Sequence, residues 1–136
     1  MIKNRPWGVT ALSVFFLVGT LISFTASVSL LFPSGFLQPI WRLNPRAQVA
    51  FASTGWWAIV LMFAVCVSCL VAAIGLWRGA RWGHRAAVAM IAINLIGDIA
   101  NTVLGTEPRA IIGVPIAGAI LWYMLSERVR GFFRRN

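Results

Sequence analysis
LWRGARWGHR, residues 76–85, decides how this chain is to be read. Two tryptophans and three arginines surround Gly79-Ala80, and a long apolar run leads away on either side. A turn this short makes the two flanking helices antiparallel neighbours. Arginines and tryptophans at the ends of uncharged runs are the pattern of a membrane–water boundary. The fold follows from finding the same pattern, or its complement, at the other breaks.

Working outward, the apolar runs number four, at about residues 7–32, 51–77, 82–104 and 110–125. A spanning helix needs ~20 such residues, with ~17–25 observed. The last run is the shortest and reaches across with Trp122 and Tyr123 at headgroup level. The chain is 60% hydrophobic and 11% charged, against about 45–50% and about 25% in soluble domains. A water-soluble fold of 136 residues has too little interior to hide that apolar surface. The expected fold is an all-α four-transmembrane-helix bundle forming a single domain.

Orientation comes from counting basic residues on alternate sides. Lys3, Arg5, Arg78, Arg81, Arg85, Arg128, Arg130, Arg134 and Arg135 fall on one side; Arg42, Arg46 and Arg109 fall on the other. The positive-inside rule then places both termini and the Arg78–Arg85 turn in the cytoplasm, consistent with a bacterial inner membrane. The formal charge of +9 is confined to the ends of apolar runs, which argues for membrane anchoring and against nucleic acid. Trp7, Trp77, Trp82 and Trp122 mark the cytoplasmic belt, and Trp41, Trp56 and Trp57 the outer one. The first apolar run exceeds the ~7–15 residues of a secretory signal's core, so an uncleaved first helix is expected.

The break at residues 33–50 is the longest and forms an outer loop. Pro33, Gly35, Pro39 and Pro45 prevent one continuous helix there, while Phe36, Leu37, Ile40 and Trp41 keep it on the membrane surface. Asn44-Pro45 reads as a cap and first helical residue, so the second helix is expected to start near Pro45. Gly105 reads as a helix end, and Thr106 with Pro108 as the cap and start of the next. The residues after Leu125 read as a basic tail.

Asn94, Asp98 and Asn101 stand at i, i+4 and i+7 of the third span, on one face. An ionisable residue within a span is costly enough to suggest function. Asp98 lies roughly 9 Å below the outer end, at 1.5 Å per residue. Ser13, Thr20 and Ser27 repeat every seven residues in the first span, and Ser23 and Ser27 fall at about the depth of Asp98. One reading is a hydrogen-bonded network joining helices one and three, with Arg42 or Arg46 neutralising Asp98. The other is a proton- or cation-coupled site at Asp98.

Cys66 and Cys69 form a C-x-x-C in the second span, a spacing suited to a redox dithiol. With the span count, this resembles the four-span thiol–quinone oxidoreductases, which implies a quinone pocket. That family carries its pair near the outer surface and needs a second pair; here Cys66 lies roughly 16 Å below Gly55, and the chain has two cysteines. Packing residues are the alternative role. His84, the single histidine, either faces headgroups or serves as an axial ligand to haem or chlorophyll. No cluster of protein ligands suggests a metal. Gly113, Ala117 and Gly118, and separately Gly75 and Gly79, are small-residue positions that let helices approach closely.

Gly75-Leu76-Trp77-Arg78, Arg81-Trp82-Gly83 and the run Leu121-Trp122-Tyr123-Met124-Leu125-Ser126 with its basic tail are similar to small uncharacterised bacterial four-helix membrane proteins. That resemblance implies topology and no catalytic residues. Three function classes follow. The first is a non-enzymatic accessory or structural subunit of a membrane complex, or a homo-oligomer, in contact with lipid and other membrane subunits. The second is a small ion-coupled transporter using Asp98; small multidrug transporters match in size, but they carry their acid on the first helix. The third is a thiol–quinone redox protein using Cys66 and Cys69. One histidine and three acids leave no base–nucleophile pair for hydrolysis or group transfer, so no enzyme is expected.

Overall fold
A computed structural model describes residues 5–135; Lys3, counted above for orientation, lies outside them. All the regular structure among the described residues is helical, without strands. In order come α1 (Trp7–Leu31), a short 3-10 helix (Gln38–Leu43), α2 (Pro45–Thr54), α3 (Trp56–Trp77), α4 (Arg81–Leu104), α5 (Ala110–Leu125) and α6 (Glu127–Arg135). Helices α1, α3 and α4 are each long and apolar enough to cross a membrane, and α5 with α6 makes a fourth candidate if the bent pair counts as one span. This is the composition of a membrane protein.

Local signals explain most helix ends. Asn44 accepts a hydrogen bond from the Ala47 amide at 3.2 Å, with Pro45 at the first helical position, as the sequence predicts. Gly79 (φ +68°) turns the chain after α3, and the Ala80 amide donates back to the Gly75 carbonyl at 2.9 Å. Gly105 (φ +66°) closes α4 in the same manner.

Three expectations are corrected. The second apolar run does not continue the helix begun at Pro45: Gly55, at φ +67° and ψ −143°, stands in a region almost reserved for glycine and separates α2 from α3. Thr106 does not cap the next helix; its hydroxyl donates to Asn101 Oδ1 at 2.9 Å and so serves the end of α4, while α5 begins at Ala110. The basic tail is a helix. Ser126, with extended backbone (ψ 148°), bends the chain by 50° between α5 and α6. Val129 and Phe133, one turn apart, are its buried face.

By contacts the chain divides into two compact units. One comprises Phe16–Leu70; the other takes the residues up to Phe15 together with those from Val71 onward. In the first, Trp41 is buried: its Nε1 donates to Ser29 Oγ at 2.7 Å, and Phe51 meets it edge-on at 5.8 Å. The indole expected in the outer aromatic belt is therefore a core residue. In the second, Leu76, Ala87, Met124 and Val129 are fully buried, and Gly75 and Gly83 bring α3 and α4 backbone to backbone.

Candidate functional site
The polar face of α4 folds largely onto itself. Asn94 Nδ2 donates to Asp98 Oδ2 at 3.1 Å, and Thr102 Oγ1 donates to the Asp98 carbonyl at 2.7 Å. The Asp98 carboxylate occupies the notch left by the missing side chain of Gly113, where an added Cβ would collide with it. Gly113 lies in the first turn and a half of α5, whose positive dipole end favours a carboxylate. Asp98 is half-buried, whereas Asn94 and Asn101 are exposed. The small-residue face expected on α5 is thus split: Gly113 seats Asp98, Ala117 is buried, and Gly118 faces open space.

Ser23 and Ser27 belong to the Phe16–Leu70 unit and Asp98 to the other. Both serines are buried, at 9% and 3% exposure, and Ser27 Oγ has no partner among the described residues. Thr20 and Ser13 instead donate to the carbonyls four residues back, each at 2.9 Å.

Cys66 and Cys69 are both buried and reduced. The Cys66 thiol donates to the Thr20 carbonyl at 3.5 Å, and Cys69 Sγ lies 3.5 Å from where a Cβ on Gly19 would stand. Both sulfurs therefore pack against α1 at its Gly19–Thr20 step. They fill the place of small apolar side chains.

His84 is held from two directions. Its Nε2 meets the Met124 carbonyl at 2.8 Å, and its ring lies 4.8 Å from that of Phe133. Nearby, Arg81 Nε and Nη2 donate to the carbonyls of Phe133 and Arg134 at 3.2 and 2.6 Å, satisfying the C-terminal end of α6. The start of α4 thus anchors both ends of the α5–α6 bend.

Arg5 does more than carry topological charge. Its Nη1 donates to the Trp77 carbonyl at 3.2 Å, and its Nη2 donates to the Leu76 carbonyl and Ser13 Oγ, each at 3.1 Å. Its guanidinium also lies 5.0 Å from the centre of the Trp77 ring. Burial lowers its pKa from the ordinary arginine value, though not out of the charged form at neutral pH. Only the tertiary fold reveals this role, since Arg5 precedes α1 and Trp77 ends α3.

Arg5→Ala is expected to cost about 2 kcal/mol, toward the lower end for several charge-assisted hydrogen bonds because the group is only partly buried. Arg5→Lys should recover less than half of that, since one ammonium cannot reproduce the planar fork. Unfolding of the detergent-solubilised protein by a denaturing surfactant would measure both. Full recovery by lysine would show that charge alone matters at this position.

No protein-family model, curated protein or solved structure matches the chain.

Proposed function
We propose that this chain is a non-enzymatic multi-pass membrane protein that acts as a structural or accessory subunit, assembling laterally through the outer half of α4 with other subunits or with copies of itself. In this reading the chain crosses the bilayer four times, with both termini in the cytoplasm of a bacterial inner membrane. The basic-residue asymmetry supports that orientation.

One observation carries the assembly reading: α4 exposes polar groups where a lipid-facing helix is apolar. Its apolar window is 11% buried, against 28% and 33% for α1 and α3, and yet Asn94 and Asn101 stand exposed on it. Each side-chain amide makes one bond within the chain, Asn94 to Asp98 and Asn101 from Thr106, and its remaining polar atoms are costly to leave in hydrocarbon. A neighbouring helix offering hydrogen-bond partners removes that cost and gives the association direction, since such bonds contribute about 0.6 kcal/mol each and up to about 2.

The test is photocross-linking from a reactive residue placed at Asn94, in native membranes, followed by purification in mild detergent and mass spectrometry. A cross-linked product and a stoichiometric assembly are expected, both diminished by Asn94→Leu/Asn101→Leu. A monomer that gives no cross-link from this position, but takes up a solute in an Asp98-dependent manner, would transfer the assignment to the ion-coupled class.

A further inference from the structure
We infer that the cleft between α4 and α6 is a binding site for the phosphate of an anionic phospholipid headgroup. The inference depends on the chain being in a membrane, and not on the assembly proposed for α4.

The cleft encloses about 540 Å³. Arg81, His84, Arg85, Val88 and Ala89 line it from α4, at i, i+3, i+4, i+7 and i+8, which is one continuous helical face. Arg130 and Arg134, one turn apart, approach from α6. The 50° bend at Ser126 creates the concavity by folding α6 back toward the start of α4. Four arginines therefore line one hollow, and among the described residues no acidic side chain lines it. Glu127 lies with Arg130 and Arg134 in an adjoining groove.

All four arginines are solvent-exposed, so the hollow presents a concentration of positive charge that draws an anion. The guanidinium plane matches phosphate oxygens bidentately, which favours phosphate over a simple halide.

The remainder of the lining selects a lipid. Val88, Ala89 and Leu125 make one wall apolar, and Trp82, half exposed, stands at the start of the same helix. An apolar wall in the same hollow as four arginines suits a ligand whose phosphate continues into acyl chains. A freely soluble phosphate has no use for it. Basic pockets between membrane helices bind anionic headgroups by the same logic. Arg81 belongs to the site and to the fold together, because its bonds to the end of α6 set the width of the cleft.

The experiment titrates delipidated full-length protein in detergent with phosphatidylglycerol, and separately with phosphatidylcholine, and reads bound lipid by native mass spectrometry. Two double variants remove equal charge from the same end of the molecule. Arg85→Ala/Arg130→Ala removes two of the four cleft arginines while leaving Arg81 to hold α6. Arg128→Ala/Arg135→Ala removes arginines that do not line the cleft.

The first pair should weaken phosphatidylglycerol binding about 25-fold, at about fivefold for each arginine near an anionic lipid. The second should change it less than about threefold, and phosphatidylcholine should bind weakly to all forms. Equal losses in both pairs would show diffuse surface charge and overturn the site. Displacement of the lipid by millimolar inorganic phosphate would overturn the lipid assignment in favour of a soluble phosphate ligand. Elution volume and helical circular dichroism, unchanged in both variants, establish that binding and not folding is read.

Discussion

Gly83→Leu is expected to abolish the α3–α4 hairpin. A Cβ on Gly83 would overlap the backbone of Gly75 and come within 2.7 Å of the Leu76 amide nitrogen. A Cβ on Gly75 meets the reciprocal obstacle in Gly83. Neither obstacle is a flexible side chain, so the two helices must separate. Overpacking a core costs about 1–3 kcal/mol where side chains can yield. Here the yielding element is backbone on both sides, so a loss of about 3 kcal/mol or more is expected. Gly97→Leu is the matched control: nothing lies within 4 Å of a Cβ added there. The yield of monodisperse protein in detergent should fall sharply for Gly83→Leu and remain near the parent for Gly97→Leu. Equal yields would mean that the close approach of Gly75 and Gly83 is dispensable.

Gly113→Ala should destabilise the α4–α5 pair by at most about 1 kcal/mol. It expels the Asp98 carboxylate from its notch, but that side chain can swing aside and alanine favours the helix by about 1 kcal/mol. The expelled group loses its place beside the first turns of α5, and its bond from Asn94 must be remade elsewhere. Asp98→Ala in the same chain removes the obstacle. The double variant should therefore be more stable than the sum of the two single changes predicts, with a coupling of about 1 kcal/mol or more. Unfolding in surfactant of all four forms closes the cycle. Strict additivity would mean that Asp98 and Gly113 do not meet. The cycle also bears on the polar face of α4: a carboxylate seated in a glycine notch is positioned by packing, whether or not it also handles ions.

Hydropathy and charge made the spans legible because each feature is local. A run of apolar residues, an Asn-Pro cap at Asn44 and a terminating Gly105 require knowledge of only a few neighbours. Gly55 was not legible as a break, since a glycine inside an apolar run is often carried by the helix; here its backbone leaves the helical region entirely. The α6 helix was hidden for the opposite reason. Its arginines dominate the composition, and only Val129 and Phe133 at i, i+4 betray an apolar face. The pairing of Gly75 with Gly83 spans the turn, so a search for glycines four apart selects Gly79, whose role is the positive φ of that turn. Arg5 and the arginine cleft have no sequence signature beyond charge. Each exists because a helix end or a bend places distant segments together.

The claim on which the rest depends is that the chain crosses the membrane a fourth time through α5, although that helix has only 16 residues. At 1.5 Å per residue it spans roughly 24 Å, less than a hydrocarbon core of ~30 Å. Flanking arginines and tryptophan can close such a gap by anchoring at the interface and thinning the bilayer. Cysteine accessibility decides the matter, in a background with Cys66 and Cys69 replaced by alanine. Ser34→Cys and Thr106→Cys should react with a membrane-impermeant maleimide in intact cells, whereas Ala80→Cys and Gly131→Cys should react only after permeabilisation. Labelling of Gly131→Cys from outside would contradict the account, leaving three spans and putting the two sides of the arginine cleft, Arg81 with Arg85 and Arg130 with Arg134, on opposite faces of the membrane.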